Sequence, residues 1–298
     1  MIARFLEYLS VEKHYSALTV SAYEKDLQQF CEFVHTDTDC FDPKQITEND
    51  IKAWFISQMD NGTKARSIRR KLSSLRSYYK FCLKTGIIEK DITTAILTPK
   101  IDKPLPVFYK EQEMEEAEQL EQYDDEFHSI RDGLIIELLY QTGIRQAELL
   151  NIKLQDIDTS QKQIRIFGKR RKERIVPIGT GLIAQIEDYL QVREQCEQAQ
   201  EHDSLFVNPK GKPMSKTGLY YVVHNRMSEV SSLKKQSPHV LRHTFATAML
   251  NNGADINTIK TLLGHANLAA TQVYTHTTFE QVKRAYNNAH PRAKNNEK

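Results

Sequence analysis

The sequence predicts a mainly α-helical protein of two domains, the second of which also holds a small antiparallel β-sheet. Apolar residues recur at helical spacing through most of the 298 residues. Two short segments with β-type composition, 163–167 and 174–178, flank a polar turn, as in a hairpin. Three prolines between residues 99 and 106 interrupt the helical pattern, because proline cannot continue a helix. The predicted parts are a domain of residues 1–98, a linker of 99–107 and a domain of 108–298.

The first domain is predicted to contain four or five helices. Apolar residues from Phe5 onward fall on one helical face. Thr47 and Thr63 are polar residues that mark the starts of two later helices. The helix from about 63 to 83 mixes leucines and aromatic residues with basic ones, and we expect its basic side chains on the outer face.

The second domain is predicted to be helical around the two-stranded sheet. Helices are expected within the acidic run 111–126, over 130–140, over 182–192, and from 218 to near the end of the chain. The polar tail 292–298 is expected to be disordered.

Charge is distributed unevenly although the formal net charge is only +2. Residues 61–88 carry eight basic residues and no acidic one, and residues 162–174 carry seven basic residues against Glu173 alone. Residues 111–126 carry nine carboxylates and no base. Separated basic stripes create local positive fields that neutralise phosphates, so nucleic acid is the predicted partner. The expected DNA contacts are Lys64, Arg66, Arg69, Arg70, Arg76, Arg170, Arg171 and Lys172.

Several classes of protein are not favoured by this sequence. No apolar stretch is long enough to span a bilayer, and the N-terminus has polar residues where a signal peptide is apolar, so we expect a cytoplasmic protein without membrane insertion. The four cysteines form no C-x-x-C pair, which favours reduced thiols over a zinc site or disulfides.

Two local features in the first half of the second domain carry candidate phosphate ligands. Gly143 is suited to end a helix in a left-handed conformation, and Arg145 then lies where Glu148, one turn on, can orient its guanidinium. Taken alone, this is more typical of a surface ion pair. The basic hairpin tip of residues 168–174 is either a solvated loop or a loop that faces DNA.

Two further features lie near the C-terminus. Ser237 and Pro238 are expected to start a helix that places His239 and Arg242 on one face. His239 and His243 have the spacing of a helical zinc pair, but Val240 follows His239 where that motif requires Glu.

A short helix is expected to start at Asp255 and to end at Gly264, which leaves His265 at a chain reversal. Tyr274 follows nine residues later. A single His or Tyr of this kind is more often structural than catalytic.

Six residues of the second domain, taken in their order along the chain, resemble the catalytic set of the tyrosine recombinase/integrase family. The strings T-G-I-R-x-x-E-L, G-K-x-x-K-E-R-x-V-P, H-x-L-R-H-T-F-A-T and L-G-H-x-x-x-x-x-T-x-x-Y-T-H resemble its signatures. The basic helical first domain and the linker ending in K-P-L-P resemble the Xer subgroup. The matching residues are Arg145, Lys169, His239, Arg242, His265 and Tyr274.

The resemblance implies a C-shaped DNA clamp, formed by a SAM-like core-binding domain and a catalytic domain. It implies that Tyr274 attacks a phosphodiester to give a 3′-phosphotyrosyl link, and that His239 assists proton transfer. Arg145 and Arg242 are implied to compensate charge on the phosphate, with Glu148 orienting Arg145. The implied roles of the remaining two are proton donation to the 5′-oxygen by Lys169 and phosphate contact by His265.

No metal, cofactor or ATP is implied, because the cationic side chains replace a metal and the phosphotyrosine conserves the bond energy. The residue after Lys169 is often Gly in this subgroup but is Arg170 here, so Lys172 stays as an alternative donor.

The resemblance also implies partners and a biological role. The implied partner is double-stranded DNA with paired half-sites, bound by a homo-tetramer or a hetero-tetramer with a related recombinase that passes through a Holliday junction. Chromosome-dimer resolution at cell division is the favoured role, and a septal DNA translocase activates some members of the subgroup. A mobile-element integrase or DNA invertase, a type IB topoisomerase-like enzyme and a non-catalytic DNA-binding module are the alternatives. We expect Phe279, Val282 and Tyr286 to dock a C-terminal helix on a neighbouring protomer.

Overall fold

The chain is mainly helical with a small antiparallel sheet, which confirms the predicted fold class. The computed structural model describes residues 1–98, 106–120, 125–168, 173–264 and 276–294. It divides into two compact units, unit 1 of Met1–Pro104 and unit 2 of Leu105–Lys298. Most residues of the predicted linker lie outside the described residues.

Unit 1 has a helical core dominated by aromatic side chains. Phe30 and Trp54 lie with their ring centroids 5.0 Å apart, and both are fully buried. In its described part the helices are α1 (Ile2–Val11), α2 (Ala17–Phe33), α3 (Glu48–Asp60) and α4 (Ala65–Lys84), followed by a 3-10 turn at Ile92–Ala95.

Side-chain capping explains the start of α3 but not that of α4. Thr47 and Asp50 form a reciprocal capping box, so the start predicted at Thr47 is confirmed. The start predicted at Thr63 is one residue too early, because Lys64, whose backbone is extended, occupies the cap position of α4 without a side-chain capping bond.

The basic residues of α4 do not all lie on an outer face, and the prediction is wrong for Lys71. Lys71 is 5% exposed and its Nζ lies 3.7 Å from Oδ1 of the buried Asp26. Asp26 also accepts hydrogen bonds from Ser74 and from Arg70. A buried ammonium needs a counter-ion, and Asp26 on α2 provides it. This ionic cluster therefore joins α4 to α2.

The remaining predicted DNA contacts on α4 fall into two groups. Arg76 donates to the carbonyl oxygen of Ile96 at 2.7 Å and is half-buried, so that its donors are used within unit 1. Lys64, Arg66 and Arg69 are exposed.

Unit 2 surrounds the long helix α6, whose second half is buried on nearly every side. α6 packs against both α8 and α10. Its described helices are α5 (Glu111–Gln119), α6 (Glu126–Thr142), α7 (Gln146–Leu150), α8 (Thr180–Glu194), α9 (Lys216–Val230), α10 (Pro238–Asn251), α11 (Ile256–Leu263), α12 (His276–Ala289) and α13 (Pro291–Lys294).

The sheet is antiparallel, with strand order β1 (Ile157–Asp158), β2 (Gln163–Phe167) and β3 (Glu173–Pro177). Ile164 and Ile166 on β2 point inward and pair with Val176 and Arg174 on β3. The hairpin is predicted correctly, with β3 starting one residue early. β1 was not predicted, because two residues are too few to show an alternating pattern.

The C-terminal helices pack on unit 2 itself, contrary to the expected docking on a neighbouring protomer. Val282 and Tyr286 on α12 are 5% and 0% exposed and belong to the core of this unit. The predicted disorder of residues 292–298 is wrong for the described residues 292–294, since Arg292 on α13 donates to the buried Glu137 at 3.2 Å. In the parts of the chain that the structure describes, no helix has the length and apolar character needed to cross a bilayer.

Candidate active site

Arg145 lies at the junction between α6 and α7. Gly143 ends α6 with a φ of 60°, in the left-handed conformation that the sequence predicts. The chain then turns so that the backbone N–H of Arg145 donates to Oε2 of Glu148 at 2.8 Å. Nη1 of the same arginine donates to Oε1 of Glu148 at 2.7 Å. Glu148 thus fixes both the backbone and the guanidinium of Arg145, whose side chain is 39% exposed.

Arg174 also belongs to this site, although its place in the sequence predicts a residue of the basic hairpin tip. Its side chain is only 6% exposed. Nη1 and Nη2 donate to the two oxygens of Glu148 at 3.0 and 2.8 Å, and Nε donates to the carbonyl of Leu262 at 2.8 Å. The strand pattern contained the signal, because Arg174 has the same parity on β3 as the buried Val176.

Glu148 is ionised at any ordinary pH. Burial alone would raise the pKa of Glu148, but hydrogen bonds and positive charge from Arg174 and Arg145 outweigh burial and lower this pKa to about 2. One buried carboxylate therefore serves as counter-ion for two guanidiniums.

Arg242 reaches the same region from α10. Ser237 and Pro238 start this helix as predicted, although the Ser237 side chain makes no capping bond there. Nη1 of Arg242 donates to the carbonyl of Gly143 at 2.6 Å and Nη2 to the carbonyl of Leu263 at 2.7 Å. Burial, with the nearby charge of Arg145, lowers the pKa of Arg242 to about 10, so the guanidinium stays charged at neutral pH.

The carboxyl end of α11 accepts a hydrogen bond from each of the three arginines. Leu262, Leu263 and Gly264 offer successive carbonyls, which accept from Arg174, Arg242 and Arg145 respectively, the last at 3.2 Å. The last carbonyls of a helix have no partner within the helix and carry its negative partial charge, which suits cationic donors. α11 therefore holds two partly accessible guanidiniums and one buried guanidinium beside each other.

His239 lies one turn before Arg242 on α10 and is exposed. Partial burial and the positive charges of Lys235 and Arg242 lower the pKa of His239, which favours the neutral imidazole at neutral pH. A neutral imidazole is able to accept a proton.

The other predicted site residues lie outside the described residues. The chain is described up to Gly168 and again from Glu173 on the hairpin, and up to Gly264 and again from His276 around the tyrosine. The predicted site residues in these gaps are Lys169, Arg170, Arg171, Lys172, His265 and Tyr274.

Two family models match this chain. The model of the phage integrase family matches residues 111–281, and the model of the phage integrase N-terminal SAM-like domain matches residues 2–86.

Curated relatives match over nearly the full length. Tyrosine recombinase XerC of Listeria innocua is 41% identical, with 97% of each chain covered, and tyrosine recombinase XerC of Staphylococcus epidermidis is 40% identical, with 98% of each covered. Among solved structures, XerH site-specific recombinase bound to a palindromic difH substrate superposes with a TM-score of 0.69 at 21% identity. That likeness covers 96% of this chain and 84% of the XerH chain, and it concerns the fold.

Proposed function

Since this chain belongs to the phage integrase family and is a site-specific tyrosine recombinase, we propose that Tyr274 is the nucleophile that cuts DNA and carries the 3′-phosphotyrosyl link. The observation that carries the proposal is the convergence of Arg145 and Arg242 on the carboxyl end of α11. Two guanidiniums held side by side are suited to a phosphodiester, whose non-bridging oxygens gain charge as the tyrosine attacks.

The two arginines retain donors for such a phosphate. A guanidinium has five N–H donors, and the described contacts use two from the side chain of Arg145 and two from that of Arg242. Fixed protein acceptors hold both groups before substrate arrives, so little reorganisation is needed when charge develops.

The remaining roles complete an acid–base cycle. His239, whose imidazole is neutral, takes the proton of the Tyr274 phenol, because a protonated phenol is a poor nucleophile. Lys169 gives a proton to the departing 5′-oxygen, with Lys172 as the alternative donor. His265 contacts the phosphate, and Glu148 orients Arg145.

The DNA partner is a duplex with two half-sites, on which a tetramer assembles and exchanges strands through a Holliday junction. In unit 1 the exposed Lys64, Arg66 and Arg69 bind backbone phosphates, which need no base recognition. In unit 2 the hairpin residues Arg170, Arg171 and Lys172 do the same. These contacts position the protein on DNA.

The biological role that we propose is chromosome-dimer resolution in the cytoplasm, with a related recombinase in the tetramer and a septal DNA translocase as activator. Identity of about 40% to proteins named XerC, over nearly the whole chain, favours this role over element mobility. Sequencing genomic DNA trapped covalently on the protein tests it. A trapped site near the replication terminus agrees with dimer resolution, and a site at the ends of a mobile element contradicts it.

The nucleophile is tested with a nicked suicide duplex that carries the trapped site. Tyr274→Phe is expected to bind this DNA as wild type does and to form no covalent adduct, since phenylalanine has no hydroxyl. Tyr221→Phe is the matched control, because Tyr221 is 58% exposed on α9 and should retain adduct formation. An adduct that persists in Tyr274→Phe contradicts the assignment.

A further inference from the structure

The buried arginine of β3 has a different environment from the two arginines assigned to the phosphate. The side chain of Arg174 is 6% exposed, against 39% for that of Arg145. Its Nη1, Nη2 and Nε all donate to acceptors inside unit 2. Because the side chain is almost fully buried, this guanidinium presents little surface to a DNA phosphate.

Arg174 limits how Glu148 can hold Arg145. Oε1 of Glu148 accepts from Nη1 of both arginines, and Oε2 accepts from the backbone N–H of Arg145 and from Nη2 of Arg174. The bidentate contact fixes the carboxylate plane, because a guanidinium and a carboxylate pair in one plane. Without Arg174 the carboxylate of Glu148 loses two of these four hydrogen bonds, so that it can pair with the Arg145 guanidinium in another geometry.

Arg174 also fixes the carboxyl end of α11. Nε binds the carbonyl of Leu262, one residue before the carbonyl that binds Arg242 and two before the one that binds Arg145. Gly264, with a φ of 63°, lies so close that a Cβ there would be 3.0 Å from Nη1 of Arg174. The Arg174 side chain thus joins the hairpin strand to Glu148, the counter-ion of Arg145, and to the end of α11, whose next two carbonyls accept from Arg242 and Arg145.

We propose that Arg174 is a positioning residue for DNA cleavage, which sets the geometry of Arg145 through Glu148, their shared counter-ion, without touching DNA. This inference rests on the proposed function, in which Arg145 and Arg242 bind the scissile phosphate. In this proposal Arg174 differs in role from the basic residues of the hairpin tip that precede it in the sequence, which bind DNA directly.

The test measures single-turnover cleavage and DNA affinity with the nicked duplex that carries the trapped site. Arg174→Met removes the guanidinium, and we expect cleavage to slow by about 100-fold, as for loss of a group that orients a functional residue. Arg174→Lys keeps the charge but not the bidentate contact, and we expect cleavage to slow by about 10-fold. DNA affinity should stay within about twofold of wild type in both variants, whereas loss of a phosphate contact weakens it.

Two controls separate positioning from a general loss of structure or charge. Arg165→Met removes one positive charge from the exposed side of β2, opposite Ile175 on β3, and should leave cleavage within about twofold of wild type. Glu148→Gln is combined with Arg174→Met in a double variant. If Arg174 acts through Glu148, the double variant is at most about twofold slower than the slower single variant, whereas independent effects multiply.

Each outcome decides the inference. Wild-type cleavage rates in both Arg174 variants, a selective loss of DNA affinity in them, or multiplicative effects in the double variant overturn it while leaving Tyr274 as nucleophile. Failure of the wild-type protein to form an adduct overturns the proposed function and the inference together. If Arg174→Met does not fold by circular dichroism, Arg174→Lys decides on the same measurements.

Discussion

Replacing Gly143 by alanine perturbs the point where α6 ends and the arginine site begins. Gly143 has a left-handed φ of 60°, which costs an L-residue about 1–2 kcal/mol. A Cβ at this position would lie 2.8 Å from Cδ2 of Leu263 and closer still to the ring of Phe245, both of which are buried. Overpacking of this kind costs about 1–3 kcal/mol more, so we expect a total destabilisation of about 2–5 kcal/mol.

Gly253 provides the matched control for this substitution. It also has a left-handed φ, of 85°, but among the described residues no heavy atom beyond its chain neighbours would lie within 4 Å of a Cβ there. Gly253→Ala therefore carries the backbone cost without the steric one. The loss of unfolded-chain entropy is the same for both substitutions and cancels in their difference.

Thermal unfolding followed by far-ultraviolet circular dichroism measures the difference. In a domain of 150–250 residues each kcal/mol lowers Tm by about 2–4 °C, so the extra 1–3 kcal/mol predicts a Tm for Gly143→Ala about 2–12 °C below that of Gly253→Ala. Trp54 is the one tryptophan of the chain and lies in unit 1, so its fluorescence checks that unit 1 is folded in both variants. Equal Tm values for the two variants would refute the steric argument.

Two further predictions concern acid stability and DNA binding. His290 is fully buried, and burial lowers its pKa from 6.5 to about 3, so it contributes stability that is present above pH 6.5 and is lost as the pH falls toward 3. Between pH 7 and pH 5 the free energy of unfolding of the wild type, measured in urea, should fall by about 2 kcal/mol because of this group. In His290→Gln the fall should be smaller by that amount. An equal fall in both proteins contradicts the assignment. Removing the three exposed basic residues at the start of α4 should lower the slope of log affinity against log salt by about 3, as measured by fluorescence anisotropy, and an unchanged slope contradicts their contact with phosphates. The residues changed to alanine are Lys64, Arg66 and Arg69.

Local sequence patterns were enough to predict most of the helices and strands. Gly143 and Gly264 end their helices in the left-handed conformation, and the capping box at Thr47 starts α3, because these signals act within one turn of the chain. Helical spacing and strand alternation located the hairpin and the long helices within a few residues. The spacing of Arg145 and Glu148 likewise predicted their contact.

The errors about Lys71 and about the C-terminal helix share one physical cause, which is that burial and charge pairing depend on residues distant in sequence. Lys71 is buried on a helix expected to be basic outside, because Asp26 is 45 residues earlier in the numbering and lies against it. Val282 and Tyr286 fill the core of their own unit rather than a neighbour's. An apolar stripe shows that a helix face will be covered, but not which chain covers it.

The sequence by itself determined the family, the order of the site residues and the chemistry that they imply, since these depend on residue type and spacing. Only the tertiary structure decided that Arg174 belongs with Glu148 and not with the basic hairpin, because their contact joins residues 26 positions apart. It also decided that one helix end holds three arginines through successive carbonyls. Backbone carbonyls have no sequence signature, so a site built on them becomes visible only when the chain has folded.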